Sequence, residues 1–300
     1  MSAKDAKIAA APISWGVCEV PGWGHQMSPE RVLKEMSDLG FTATEFGPLG
    51  FLPIDPAIKA AILKEHGMTA TGGFYPAILH RADHDPIPAV KVELESYIAS
   101  GANVLVLAAN SGIDGYDAAL PILTDAEWEI LFKNLDAIKA VAAEVGVQTV
   151  LHPHVGTMVE TYDHVMRVVN GSQIQFCLDT GHMMIGGTNP AEFAEKYPDR
   201  VAHAHLKDVN ESVAQKVRSN QVTYYDGMLN GLYTPLGKGD ANIREIVRSL
   251  VKYGYTGWYV LEQDLAIFEE PAPGEGPYAS AKESVEFLRK VLKELEAEGF

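Results

Sequence analysis

Eight short apolar runs, each followed by a polar or glycine-rich loop and then a longer helical pattern, predict an α/β protein whose parallel strands close into a (β/α)8 TIM barrel. Two further features agree. Capping residues and glycines bracket the helical patterns. The polar residues able to do chemistry gather where the apolar runs end, which is where such barrels keep their active sites. The length of 300 residues suits one barrel of about 250 residues with an insertion, so 1–300 is read as one domain. A doubly wound open sheet is the alternative. No Gly-x-Gly-x-x-Gly follows the first run, which weighs against it.

The elements follow in order. The first strand is expected at Ile8 to Ile13. Ser28-Pro29 then reads as an N-cap with proline at the first helical position, opening a helix to Leu39 that Gly40 stops. A second strand, Thr42 to Phe46, precedes a helix from about Asp55 to His66. The third strand is Met68 to Phe74, with a helix from Ile87 to Ser100 ended by Gly101. The fourth, Asn103 to Ala108, is nearly all apolar, as a strand buried on both faces should be. Thr124 caps a long helix to Val145. Strands at Val147 to Leu151 and Ile174 to Leu178 flank a helix at Tyr162 to Val169. A short helix, Pro190 to Lys196, leads to the seventh strand, Val201 to Leu206. An insert of about 209–241 precedes a helix at Asn242 to Tyr253, the eighth strand at Trp258 to Leu261, and a last helix at Ala279 to Ala297. The insert is expected on the active-site face, as a lid or an oligomer contact.

Composition excludes several functions. The net charge is −16, from 40 acidic residues against 24 Lys and Arg, and no basic run offers the footprint of a nucleic-acid or anionic-membrane partner. No apolar run reaches the roughly 20 residues of a membrane helix. The first residues lack the long apolar region of a signal peptide, so a cytoplasmic location is expected. Cys18 and Cys177 are too few for a disulfide framework and read as reduced thiols.

The strand ends carry the chemistry. Trp15 follows the first strand, Glu45 ends the second, Tyr75 follows the third and Asn110 the fourth. His152 and His154 stand after the fifth, with Glu160 later in that loop. Asp179 and His182 follow the sixth, His203, His205 and Lys207 mark the seventh, and Glu262 ends the eighth. Six of the ten histidines lie between His152 and His205. Imidazoles and carboxylates converging at one barrel mouth suit a divalent first-row metal, Mn, Co, Zn or Fe, and the absence of thiolates argues against a closed structural zinc site. His203 and His205 alternate with Ala202, Ala204 and Leu206, so both side chains share one face.

The strings Leu178-Asp179-Thr180-Gly181-His182, His203-Ala204-His205-Leu206-Lys207-Asp208 and Tyr259-Val260-Leu261-Glu262 resemble the xylose isomerase-like barrel superfamily across the whole chain. That superfamily includes ketose epimerases, hydroxypyruvate isomerase, dehydroshikimate dehydratases and endonuclease IV. Ala11-Pro12-Ile13-Ser14-Trp15-Gly16-Val17-Cys18-Glu19, Glu45-Phe46-Gly47-Pro48-Leu49-Gly50-Phe51-Leu52-Pro53 and His152-Pro153-His154-Val155-Gly156-Thr157 are similar to the inosose dehydratase group within it. The resemblance implies metal-dependent loss of water from a cyclic polyol ketone, 2-keto-myo-inositol, in inositol breakdown. A metal-dependent ketose isomerase or 3-epimerase acting on an unphosphorylated sugar is the alternative. It also implies metal ligands at Asp179, His205, Glu262 and the position of His152. The superfamily usually has glutamate at that last position, so His154 or Glu160 can take its place. Mn or Co is the expected metal, with Zn or Fe next. His182 would be the general base, with Lys207 and Glu45 assisting; Trp15, Tyr75, Asn110, His154 and Glu160 would contact substrate. A dimer or tetramer is common for this kind of barrel.

The loop after the eighth strand, Gln263 to Ser280, has no Lys or Arg but does carry Asp264, Glu269, Glu270 and Glu275. Barrels that hold phosphate often do so there, so a neutral substrate is expected. The insert's Lys216, Arg218 and Lys238 are the basic residues nearest to an exception.

Overall fold

The computed structural model describes residues 3–300. After a short 3-10 turn, β1 (Lys7–Ala10) opens the barrel. It is shorter than the expected strand because Pro12 has no N–H for a ladder, and Pro12–Trp15 curls into a second 3-10 turn. Then come α1 (Pro29–Asp38), capped by the Ser28 side chain, and β2 (Ala43–Thr44). Past β2 the chain still bonds both neighbours, Glu45 N donating to Ala10 O and Phe46 N to Gly72 O. Asp55 caps α2 (Pro56–Glu65) through two backbone amides.

The third barrel strand arrives in two pieces, β3 (Thr69–Ala70) and β4 (Gly72–Ala77), the latter running three residues beyond expectation. β3 pairs with β2 and β4 with β5 (Val104–Ala109). Thr71 between them is the seam: its N–H donates to Thr44 O, and its C=O accepts from Asn103 and Val104. The sheet therefore closes into eight parallel barrel strands. α3 (Ile87–Ser100) and α4 (Asp125–Glu144) follow, the second opened by a capping box of Thr124 and Glu127.

β6 (Gln148–Leu151), α5 (Tyr162–Gly171) and β7 (Gln175–Asp179) keep the alternation. An unexpected helix, α6 (Thr180–Ile185), starts at the very end of β7, ahead of α7 (Pro190–Lys196). β8 (Val201–Leu206) is fully buried. The insert is built, not loose. A ribbon of β9 (Asp208–Val209) and β10 (Tyr233–Thr234) frames α8 (Glu211–Arg218) and α9 (Tyr224–Leu229). Asp208 clamps its base by accepting from the amides of Val209, Gly237 and Ala241. α10 (Ile243–Tyr253), β11 (Trp258–Leu261) and α11 (Pro277–Ala297) complete the circuit, β11 lying between β8 and β1.

Burial explains why the strands read as apolar runs. In β5, Leu105, Leu107 and Ala109 join the large core under the helices, while Val104 and Val106 face inward with Val150 and Cys177. A separate cluster of Trp23, Val209, Tyr224 and Leu232 fixes the insert to the barrel mouth. Among the described residues no helix is long and apolar enough to cross a membrane.

Candidate active site

The strand ends converge as the alternation requires. A cavity of about 590 Å³ opens at the mouth, and its floor is polar, with Glu45, His205, Lys207 and Glu262. Both histidines of β8 point into the barrel, each Nε2 lying 2.9 Å from the same oxygen, Glu45 Oε1. One carboxylate thus fixes two imidazoles from beneath.

That contact decides which nitrogen of His205 remains for chemistry. Its Nδ1 faces Glu262 Oε2 at 3.0 Å and Asp179 Oδ2 at 3.6 Å, in poor alignment for a hydrogen bond. Asp179 divides its oxygens: Oδ1 caps α6 by accepting from the Gly181 and His182 amides at 2.9 and 2.8 Å, and Oδ2 faces the site. The three ligand atoms of Asp179, His205 and Glu262 lie within 4.8 Å of one another. Two carboxylate oxygens and one imidazole nitrogen fit a divalent cation, and the carboxylate behind the ligating histidine is the usual companion of a metal site.

The fourth position has three claimants, and the structure separates them. His152 Nε2 lies 3.1 Å from Asp179 Oδ2. Glu160 Oε2 instead accepts from the Gly156 amide and does not line the cavity. His154 uses Nδ1 on its neighbour's carbonyl, Val155 O, at 2.8 Å.

Lys207 is the hub. Its ammonium lies 2.9 Å from Asp264 Oδ1, 3.1 Å from Glu262 Oε2, 3.3 Å from Asp179 Oδ2 and 3.1 Å from His182 Nε2. Gly181 makes room for it, since a Cβ there would come within 2.8 Å of Lys207 Cβ. Burial works against the charged lysine, but Asp179, Asp264 and Glu262 outweigh it and hold its pKa well above the ordinary range. Burial also disfavours ionised Asp179. There Lys207, His182 and the hydrogen bond from His152 prevail, and its pKa stands well below the usual carboxylate value. Burial, then the neighbouring His152 and Lys207, holds the His154 pKa well below the ordinary histidine value, and burial, then His154 and Lys207, does the same for His182.

Several expected contacts change place. His182 is buried, does not line the cavity, and lies tilted against His154 with ring centroids 3.7 Å apart. His154 and Lys207 do line it. With Nδ1–H on Val155 O, His154 keeps the Nε2 lone pair. Trp15 is not a cavity wall: it is wholly buried and its Nε1 donates to Glu35 Oε2. The 3-10 turn that ends β1 aims it into the core, and Trp23, further along the same loop, lines the cavity instead. Asn110 also lies off the cavity, its Oδ1 accepting from Gly112 N in a tight turn. Tyr75 lines the outer part.

Sequence reasoning missed Asp264 and Tyr224 as site residues. Tyr224 of the insert donates its hydroxyl to Asp264 Oδ2 at 2.6 Å, and Asp264 reaches Lys207. The signal was the spacing of Asp264 two residues after Glu262, which in a strand places both on one face. Of the insert's basic residues, Arg218 pairs with Glu211 and Lys238 with Glu283, so both already have carboxylate partners.

Known proteins share this fold and sequence pattern. Residues 33–291 match the family described as xylose isomerase-like TIM barrel. The chain is 30% identical to the inosose dehydratase of Geobacillus kaustophilus (strain HTA426) over 301 residues, covering 96% of each protein. It is 32% identical to the rhizopine catabolism protein MocC of Rhizobium meliloti over 266 residues, 86% of this chain and 81% of that one. A solved L-ribulose 3-epimerase superposes with a TM-score of 0.69 at 16% identity, over 98% of this chain and 97% of its own, a likeness of fold. The chain belongs to the xylose isomerase-like TIM-barrel family and, within it, to the family of the inosose dehydratases.

Proposed function

We propose that the chain is a metal-dependent hydro-lyase that removes water from 2-keto-myo-inositol to give a trihydroxycyclohexane-dione. Full-length similarity to an inosose dehydratase supports the reaction. The observation that carries the site is the convergence of Asp179, His205 and Glu262, with His205 turned by Glu45 so that Nδ1 meets both carboxylates.

His152, Asp179, His205 and Glu262 would hold the cation, Mn or Co being favoured. A bound divalent cation supplies Lewis-acid polarisation of the ketone oxygen, which makes the neighbouring C–H acidic enough to lose its proton. His154, which lines the cavity and engages Val155 O through Nδ1, would take that proton on Nε2. Lys207, held charged among three carboxylates, donates to the departing β-hydroxyl. His182 keeps the Lys207 ammonium in position through Nε2. The polar floor receives the ring hydroxyls, and the loop after β11, with Asp264, Glu269, Glu270 and Glu275 but no Lys or Arg, suits an uncharged substrate.

The test is a metal-depleted assay with 2-keto-myo-inositol, following ultraviolet absorbance as Mn or Co is restored. Elimination creates a conjugated enone-type chromophore, so absorbance should grow only with metal. A flat trace with metal present would overturn the substrate assignment.

A further inference from the structure

The cavity is larger than the substrate it is assigned. The twelve heavy atoms of a six-carbon polyol ketone, at no more than a liquid water's volume each, fill at most about 360 Å³. The cavity measures about 590 Å³. It runs out over β2 and β4, between the loop that follows β2 and the helix α3, where Leu49, Leu52, Ile54, Phe74, Tyr75 and Val92 line it.

That outer arm is apolar and open. Leu49 is 89% exposed, Ile54 77% and Val92 68%. Phe74 links the two regions, its ring standing edge-on to His152 at 5.7 Å and tilted against His154 at 5.3 Å. A group of large apolar side chains exposed around one mouth marks a binding surface. The arm's lining also includes Lys59, Glu93 and Ser96, and Lys59 lies over the Phe46 ring at 4.1 Å.

We infer that the arm is a second subsite, for an apolar substituent carried on the polyol ring, so that the enzyme's substrates include O-alkyl or O-aryl ethers of a cyclic polyol ketone. This rests on the dehydratase reading for the ring but not for the arm. The room left over holds about seven heavy atoms on the same volume scale, the size of a benzyl group. Elimination would proceed as for the parent, with loss of a free β-hydroxyl as water and the ether bond kept.

The test compares 2-keto-myo-inositol with its regioisomeric mono-O-benzyl ethers on the metal-loaded full chain. At least one ether should show a KM about tenfold below the parent, the scale of an apolar group entering an apolar pocket. Val92→Trp, and separately Ile54→Trp, should lower the ratio of kcat/KM for that ether over the parent by about the same factor. Equal KM values for parent and every ether, or a ratio unmoved by both substitutions, overturns the subsite. So does a change in oligomeric state by size-exclusion chromatography with the ratio unchanged, which would make the arm a contact with a second copy. If the parent is not dehydrated, the ring assignment fails by itself. Calorimetric titration of the benzyl ethers into wild type and Val92→Trp then reads the arm directly: binding weakened by the substitution supports it, and equal binding or none in both overturns it.

Discussion

Lys207 Nζ lies 3.1 Å from His182 Nε2 while facing three carboxylates within 3.3 Å. The His182 imidazole accepts from the ammonium and does not line the cavity. In the proposed reaction the pair would act as one proton-handling unit, with lysine as the part that meets substrate.

Lys207→Met should therefore reduce kcat by roughly 10²- to 10⁴-fold, the usual worth of a positioned acid or base. It also leaves Asp179, Glu262 and Asp264 facing one another without their ammonium. The metal-free variant should melt below wild type, and added divalent cation should recover more of the melting temperature than it adds to wild type. Steady-state kinetics and thermal melts with and without metal check both parts. An unchanged kcat would remove lysine from proton transfer.

His154→Asn tests the base. The expected loss is again roughly 10²- to 10⁴-fold in kcat, with bound metal per chain unchanged by elemental analysis. His182→Asn should act more mildly, because it disturbs Lys207 without removing the proton acceptor. The reverse ranking would restore His182 as base.

Glu45→Gln keeps the shape beneath β8 but removes the charge shared by His203 and His205. Loss of such a carboxylate behind a metal-binding imidazole typically weakens metal affinity by about 10- to 100-fold. Competition of the protein against a fluorescent chelator measures this. Equal affinity would mean that Glu45 serves packing alone.

The two thiols should be inert in the folded protein. Burial, then the charge of Glu19, pushes the Cys18 pKa up to about 12, and burial pushes Cys177 to about 11. Raised values favour the protonated thiol, so at pH 8 the reactive thiolate of Cys18 is on the order of one part in ten thousand. Ellman's reagent should label neither residue at pH 8 in the native state and both after denaturation. Fast labelling of Cys18 in the native protein would show a loop more open than the one described.

Much of this was legible in the sequence because barrel strands buried on both faces leave apolar runs, and because caps such as Thr124 and Ser28 mark helix starts locally. The histidines and carboxylates at strand ends were legible for the same reason: a parallel barrel brings those ends together whatever their separation along the chain. Contacts set by side-chain direction were not. Whether His203 and His205 faced the interior, which Asp179 oxygen was available, and that Trp23 rather than Trp15 reaches the cavity all depend on packing that no local pattern encodes. The insert's ribbon and helices were missed because each is too short to show a period, and α6 because it begins without any loop.

Asp179 joins two tasks that most proteins keep apart. One oxygen is tied to the backbone amides that start α6, and the other is turned to the site. The carboxylate therefore has no rotational freedom to lose on meeting a cation. Asparagine could still begin the helix yet would carry no charge, and glutamate would carry charge yet reach one methylene too far to do both. At this position the vocabulary of tolerated residues shrinks to one, and loss of function and loss of local order would be inherited together.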